Sequence, residues 1–287
     1  MITIFSGAPG AGKSSLNAYF LYSTYREEGR TLLKRCRAKI EELNKTRLHP
    51  LTLPAQPPIY SDFKVKFPAG YKKWYEPYFV NGYYMGLSNE RLKTQFLPPY
   101  AKIFLGESQR YYNSRKSGSF PDFVSRFYEM HRHFGLDIYL DVQRVRLIDP
   151  NIRELCRHFI EVQGMEHTRD QLGRITRTVW HCREFGNWID FEDYLNTGAD
   201  TYKETTYSYV GNIFDCYDSF SFFENYLPED VAGNDICYLK HLSRAEARYI
   251  GADKAEFYKG GEPVGYRTAP EKPKAKDKKN AEQKQSV

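Results

Sequence analysis

The sequence predicts an α/β fold built on a mostly parallel sheet, and two observations carry that prediction. The first is the opening stretch MITIFSGAPGAGKSSLNAYFLYSTY, in which a short apolar run, Ile2 to Phe5, leads through a glycine-rich octet into a helical pattern. The second is the continuation. Short apolar runs alternate with helical or looped stretches as far as Val162, the pattern of a sheet whose strands are joined by crossovers. A chain of 287 residues has room for one large domain, or one with a small appendage.

The octet Gly7-Ala8-Pro9-Gly10-Ala11-Gly12-Lys13-Ser14 fits the P-loop pattern G-x-x-x-x-G-K-[ST], in the strand–loop–helix context the pattern requires. Glycines let the backbone curl so that its N–H groups line a nest of phosphate size. The loop ends at a helix N-terminus, where unpaired N–H groups and the helix dipole favour an anion. Residues Gly7 to Ser14, with Ser15 after them, are therefore the expected binding set for ATP. Lys13 offers a point charge to the β- and γ-phosphates and is expected to be exposed until phosphate arrives. The Ser14 hydroxyl is the expected Mg²⁺ ligand.

The remaining elements follow in order. Ser14 to Asn44 reads as helix, with a possible break at Gly29. Four prolines between His49 and Pro58 make a loop, and Pro58 to Asp62 starts a second strand. Lys64 to Leu87, aromatic and punctuated by Gly and Pro, predicts loops and a hairpin rather than core sheet. Lys102 to Glu107 is a third strand ending in an acid, and Asn113 to Phe120 a polar loop. Pro121 to Phe134 has Phe123, Phe127 and Met130 at helical spacing. Leu136 to Val142 is a fourth strand with Gln143 past its end, Pro150 to Leu155 a short helix, and His158 to Val162 a fifth strand. Beyond Gly164, Arg174 to Cys182 alternates like a strand, and Gly186-Asn187 suggests a turn into another over Trp188 to Phe191. Asn196 to Phe223 is rich in Tyr and Ser, and Arg244 to Ile250 is a weak helix. From Pro263 onward the composition is that of a disordered basic tail. The expected organisation is a core over 1–165, a β-rich extension packed on it over 166–262, and a tail over 263–287.

The net charge of +6 is weak support for a nucleic-acid partner, because six lysines lie in the tail and the body is only mildly basic. Five cysteines, an odd number with no C-x-x-C pair, fit reduced thiols in a cytosolic chain. His131 and His133 are two apart, which suits a strand face better than a helical zinc pair, and the plainer role for both is to cap the preceding helix. No signal peptide and no apolar run of membrane-spanning length is visible.

Several stretches together resemble the N-terminal domain of the zonular occludens toxin family, which includes assembly ATPases of filamentous phages and is related to FtsK–HerA-type motors. They are the opening Ile4 to Ser15, the strand end Phe104 to Arg110, the segment His131 to Ile138, then Val142-Gln143 and Leu147 to Asp149, and Phe214 to Ser219. The likeness runs from residue 2 to about 220. It implies a sheet core ordered 5-1-4-3-2. It implies an ATPase that drives assembly or export of phage or episome DNA or nucleoprotein, as a homo-oligomeric ring in the host cytoplasm, peripheral to the membrane. A cytoplasmic DNA-packaging motor and a nucleotide-gated scaffold with little hydrolysis are the alternatives. Two departures stand out. Membrane-bound members carry a spanning helix that this sequence lacks, so attachment needs a membrane protein partner. Gly106 also stands where the Mg²⁺-associated Asp of the Walker B strand belongs. Ser14, the phosphates and water would then hold the metal, with Asp62, Asp141 and Asp149 the acids to consider as substitutes.

Glu107 is the candidate base that polarises the attacking water, or else an exposed strand-end acid. Gln143 is a candidate γ-phosphate sensor, or incidental. Arg132 and Arg153 are candidates for an arginine finger reaching a neighbouring subunit. Arg110, Arg115 and Lys116 form a basic loop, able to touch a DNA backbone but more often simply solvated.

Overall fold

The computed structural model describes residues 1–48, 50–70, 73–80, 97–115 and 122–217, and two strands at 254–259 and 262–268. In chain order the first half contains β1 (Ile2–Ser6), α1 (Lys13–Asn44), β2 (Ile59–Ser61), β3 (Phe67–Gly70), β4 (Lys73–Tyr75), β5 (Tyr78–Phe79) and β6 (Lys102–Leu105). There follow α2 (Asp122–Met130), β7 (Asp137–Asp141), α3 (Pro150–Leu155), β8 (His158–Arg169), β9 (Ile175–Phe185), α4 (Trp188–Thr197) and β10 (Lys203–Val210). The five strands expected from apolar runs are all present. They pair in parallel in the order β8-β1-β7-β6-β2, which is the order 5-1-4-3-2. β1 is buried along its whole length, as a central parallel strand covered on both faces must be.

Among the described residues the sheet is wider than expected, with eight strands in the order β10-β9-β8-β1-β7-β6-β2-β5. At one edge the two-residue strand β5 pairs with β2, in a stretch expected to stay out of the sheet. The hairpin expected there is formed by β3 and β4. At the other edge β8 runs on to Arg169, and β9 and β10 continue the sheet as antiparallel neighbours. Residue 165 lies inside β8.

Two apolar cores flank the sheet. On one face Phe5, Phe104, Tyr139 and Ile160 meet Leu16, Ala18, Leu21 and Leu32 of α1, together with Phe67 and Tyr75 of the hairpin. On the other, Ile4, Leu105 and Leu140 meet Val124 and Tyr128 of α2, Ile152 of α3 and Phe191 of α4. The alternation along each strand, one residue to each face, sends these neighbours to opposite layers.

Three local expectations are corrected. α1 does not break at Gly29, which lies in the helix with Pro57 against it; a Cβ there would stand 3.3 Å from the proline Cγ. An interior glycine weakens a helix by about 1 kcal/mol, which burial of one face outweighs. Trp188 to Phe191 is helix, not strand. Asn187 caps α4 by accepting from the Asp190 N–H at 2.9 Å, Gly198 ends it with φ of 75°, and Phe191 fills the core beneath it. Residues 263–268, which composition put in the tail, belong to β12 (Glu262–Thr268), paired antiparallel with β11 (Lys254–Lys259). Val264, Tyr266 and Thr268 are strand formers that a compositional reading averages away. The expected helix at 244–250, the loop at 116–120, Cys237 and the end of the Phe214–Ser219 signature lie outside the described residues. The chain divides into two units, Met1–Phe222 and Phe223–Val287.

Candidate nucleotide-binding site

The glycine-rich loop lies between β1 and α1, the strand–loop–helix context expected of a P-loop, and its glycines are needed for packing as well as for curvature. Gly7 has φ of 145°, and a Cβ there would sit 2.5 Å from the carbonyl oxygen of Val162 in β8. Gly12 has φ of 99°, and a Cβ would press on Met165 of β8 and Trp180 of β9, at 3.0 and 3.1 Å. The wall behind the loop is thus made by the fifth expected strand, by its continuation past Val162, and by β9 beside it. Ser15 belongs to this wall rather than to the mouth of the site. It is 1% exposed, donates to the Gly12 carbonyl at 2.8 Å and accepts from the Trp180 indole at 3.0 Å.

The front of the loop is open. Ala8, Pro9 and Gly10 are exposed. Gly12 caps α1 with no side-chain hydrogen bond, and the first turn holds no acid, so neither the cap nor the first turn competes with an anion for the leading amides. Lys13 is not exposed as expected. It is 6% exposed, with its Nζ folded back onto the Ala8 carbonyl at 3.0 Å. A backbone oxygen there holds the ammonium where a phosphate oxygen would take it over.

Three strand ends face this loop at the carboxyl edge of the sheet, where ligands collect in open α/β folds. After β6, Glu107 adopts a left-handed conformation with φ of 47°. That is an uncommon and costly choice for a glutamate. Its Oε2 accepts from the Gln109 amide, and from Gln143 Nε2 at 3.5 Å. After β7, Gln143 is exposed, so two of the expected residues meet here. Asp141 closes β7, fully buried, and its Oδ2 accepts from the Ser14 hydroxyl at 2.5 Å. After β2, Asp62 is 2% exposed. It accepts from the Gly106 N–H at 2.8 Å and from the Tyr111 hydroxyl at 2.9 Å, and so ties down the turn that carries Glu107.

The donor set fits a Mg²⁺–nucleotide pair. Lys13 and the leading amides of α1 suit phosphate. The Ser14 hydroxyl and Asp141, whose Oδ1 is buried with no hydrogen-bond partner, are the oxygens a hard cation takes. Among the described residues no group of three or more His, Cys, Asp or Glu could hold a metal by itself, so a cation here would draw on phosphate and water as well.

Residues 87–220 match the zonular occludens toxin (Zot) family. The Zot-like region contains Glu107, Gln143 and Asp141, and the β8–β9 wall, but not the P-loop itself. Among solved structures, the N-terminal domain of zonular occludens toxin from Neisseria meningitidis is 16% identical, over 76% of this chain and 98% of that one, with a TM-score of 0.45. The genome packaging NTPase of Sulfolobus turreted icosahedral virus 2, in complex with ATP-gammaS, is 12% identical over 71% of this chain and 95% of that one, with a TM-score of 0.36. No curated protein matches the chain.

Other candidates in the Zot-like region stand apart from the P-loop. Arg132 is exposed in the turn before β7, at the opposite end of that strand from Asp141. Arg153 is half-buried on α3, with its guanidinium 4.5 Å from the centre of the Trp188 ring. His131 is buried and meets the Tyr128 carbonyl at the end of α2, in keeping with a capping role. Arg110 lies over the Tyr111 ring at 5.5 Å, and Lys116 is outside the described residues. Cys36, Cys156, Cys182 and Cys216 are buried free thiols. Among the described residues no helix is long and apolar enough to cross a membrane.

Sequence reasoning named Asp62 and Asp141 only as substitutes to consider for the missing metal acid, on a par with Asp149. The available signal was an acid ending an otherwise apolar strand, a position that costs desolvation. Burial pushes both carboxyls up to about 7. The Gly106 and Tyr111 donors pull Asp62 back, and Ser14 and Lys13 pull Asp141 back. An unfolded aspartate titrates near ~4. The folded chain therefore holds more protons between about pH 4 and 7, and stability should fall as pH rises through that window. The ligand-free protein is expected to melt higher at pH 5 than at pH 8. Asp62→Asn should narrow the difference, since an amide accepts from Gly106 and donates to Tyr111 without charge. An unchanged difference in the variant's melting curves would remove Asp62 as a source.

Proposed function

We propose that this chain is a Mg²⁺-dependent ATPase, acting as a homo-oligomeric ring in the assembly or export of phage or episome DNA. The observation that carries the ATPase reading is the meeting of Glu107 and Gln143 across the sheet edge from Lys13 and Ser14. A carboxylate and an amide there can orient a water against a phosphate held by the loop. In this reading Lys13, Ser14 and the leading amides of α1 bind ATP and Mg²⁺, Glu107 accepts a proton from the attacking water, and Gln143 holds Glu107 in place. The phage-assembly reading rests on the Zot match over 87–220. The cargo is DNA or nucleoprotein, and the ring meets the membrane through a protein partner.

In the ring reading the charge donated to a neighbour comes from Arg132 or Arg153, and Arg153 is engaged with Trp188. Arg132, exposed at the far end of β7, is the better candidate for a charge donated to a neighbour. The test is sedimentation with Mg-ATP alongside turnover at increasing protein concentration. Turnover per subunit is expected to rise as rings form. Arg132→Ala should be inactive alone, and partly rescued when mixed with Glu107→Gln, because one interface in the mixed ring regains both groups. A chain that stays monomeric with ATP, with turnover independent of concentration, would overturn the ring.

A further inference from the structure

We propose that Asp141, at the end of β7, supplies the carboxylate of the Mg²⁺ site that position 106 lacks, acting together with Ser14. The inference rests on the ATP-binding reading and assigns a residue within it. It comes from strand register. β6 and β7 run parallel with Leu105 opposite Leu140, so the next pair at the carboxyl edge is Gly106 and Asp141. In-register neighbours on parallel strands point to the same face. That face is the one covered by α1, because Phe104 and Tyr139, two residues earlier on each strand, pack there. β7 is also the strand next to β1, with Asp141 opposite Phe5 just before the P-loop. A carboxylate missing from the third strand is thus present at the same level of the sheet, one strand nearer the loop.

The side chain is prepared for a ligand. Asp141 is fully buried, and one of its oxygens takes the Ser14 hydroxyl at 2.5 Å. The other has no hydrogen-bond partner. A buried carboxylate oxygen left unpaired is costly, and a cation or its water repays that cost. The competing acids are occupied. Both oxygens of Asp62 hold the turn after β6, through Gly106 and Tyr111. Asp149 caps α3 by accepting from the Asn151 N–H at 3.0 Å. The Gly106 N–H reaches Asp62 at 2.8 Å, so the end of β6 is tied to Asp62 in the turn that carries Glu107.

The test measures metal coupling rather than turnover. A fluorescent non-hydrolysable ATP analogue is titrated into the full chain with and without Mn²⁺, and bound Mn²⁺ is followed by its paramagnetic resonance. In the unaltered protein Mn²⁺ should tighten analogue binding at least about tenfold. In Asp141→Asn the metal-free affinity should be equal or higher, since a negative charge has left the phosphate site. The coupling should fall below about threefold, with bound Mn²⁺ lost in step. The amide still accepts from Ser14, so the fold should hold. If Asp141→Asn melts below the assay temperature, Asp141→Ala is the second variant with the same expectation. Unaltered coupling in a folded variant would overturn the assignment, as would an unaltered protein that binds the analogue with no help from metal. An unaltered protein that binds no analogue at all would overturn the ATP-binding reading, and this inference with it.

Discussion

Lys13→Ala should weaken binding of an ATP analogue at least about 100-fold and leave the protein folded. The reason for the first part is charge. The ammonium is the one cation the P-loop brings to the β- and γ-phosphates, and charge-assisted hydrogen bonds to phosphate are the strong ones. The reason for the second part is its resting state. The Lys13 Nζ makes a single bond to the Ala8 carbonyl, at 3.0 Å, inside an otherwise open loop. Losing such a bond costs about 1 kcal/mol, and the loop carbonyl left behind can turn to water. Gly7 and Gly12, wedged against Val162, Met165 and Trp180, keep the loop in shape without the lysine. Equilibrium fluorescence titration, with a melting curve beside it, separates the two effects. Unchanged affinity in a folded variant would end the P-loop assignment.

Glu107→Gln should lower turnover about 100- to 10,000-fold while ATP still binds. Glutamine keeps the size of the side chain and a carbonyl oxygen to accept from Gln109 and Gln143, so the geometry of the turn is retained. What it loses is the capacity to take a proton from water. Single-turnover hydrolysis at saturating Mg²⁺ gives the chemical step directly, and binding of the analogue checks the site. A variant as fast as the unaltered protein would show that the base lies elsewhere, and would leave the strained φ of Glu107 without a catalytic reason. If neither protein turned over with ATP bound, the scaffold reading would replace the ATPase reading, and Glu107 would be a group that senses nucleotide.

What was legible in the sequence was local. The P-loop is a run of adjacent residues whose chemistry does not depend on anything distant: glycines for curvature, a lysine for charge, a hydroxyl for metal. The five core strands were legible because a strand buried on both faces must be a short apolar run. Glu107 and Gln143 were legible because each directly follows such a run. The family likeness supplied the order in which those strands lie side by side, which the runs alone do not contain.

Tertiary structure alone decided what depends on residues distant in the chain. It widened the sheet to eight strands, because the edge of a parallel sheet leaves N–H and C=O groups that β9 and β10 can pair, and nothing in β9 itself announces its partner. It turned Trp188 to Phe191 into helix, because Asn187 found the Asp190 N–H and the aromatic side chains found the core. It buried Lys13 and drew Ser15 away to Trp180. It engaged Arg153 with an indole. And it chose among three acids that the sequence left equal. Asp149 became a helix cap and Asp62 a strut for the turn after β6. Asp141 alone reached Ser14, because its place was fixed by the pleat of β7 and its register with β1 and β6. A one-residue slip in that register would send the carboxylate to the opposite face, and no local propensity records such a choice.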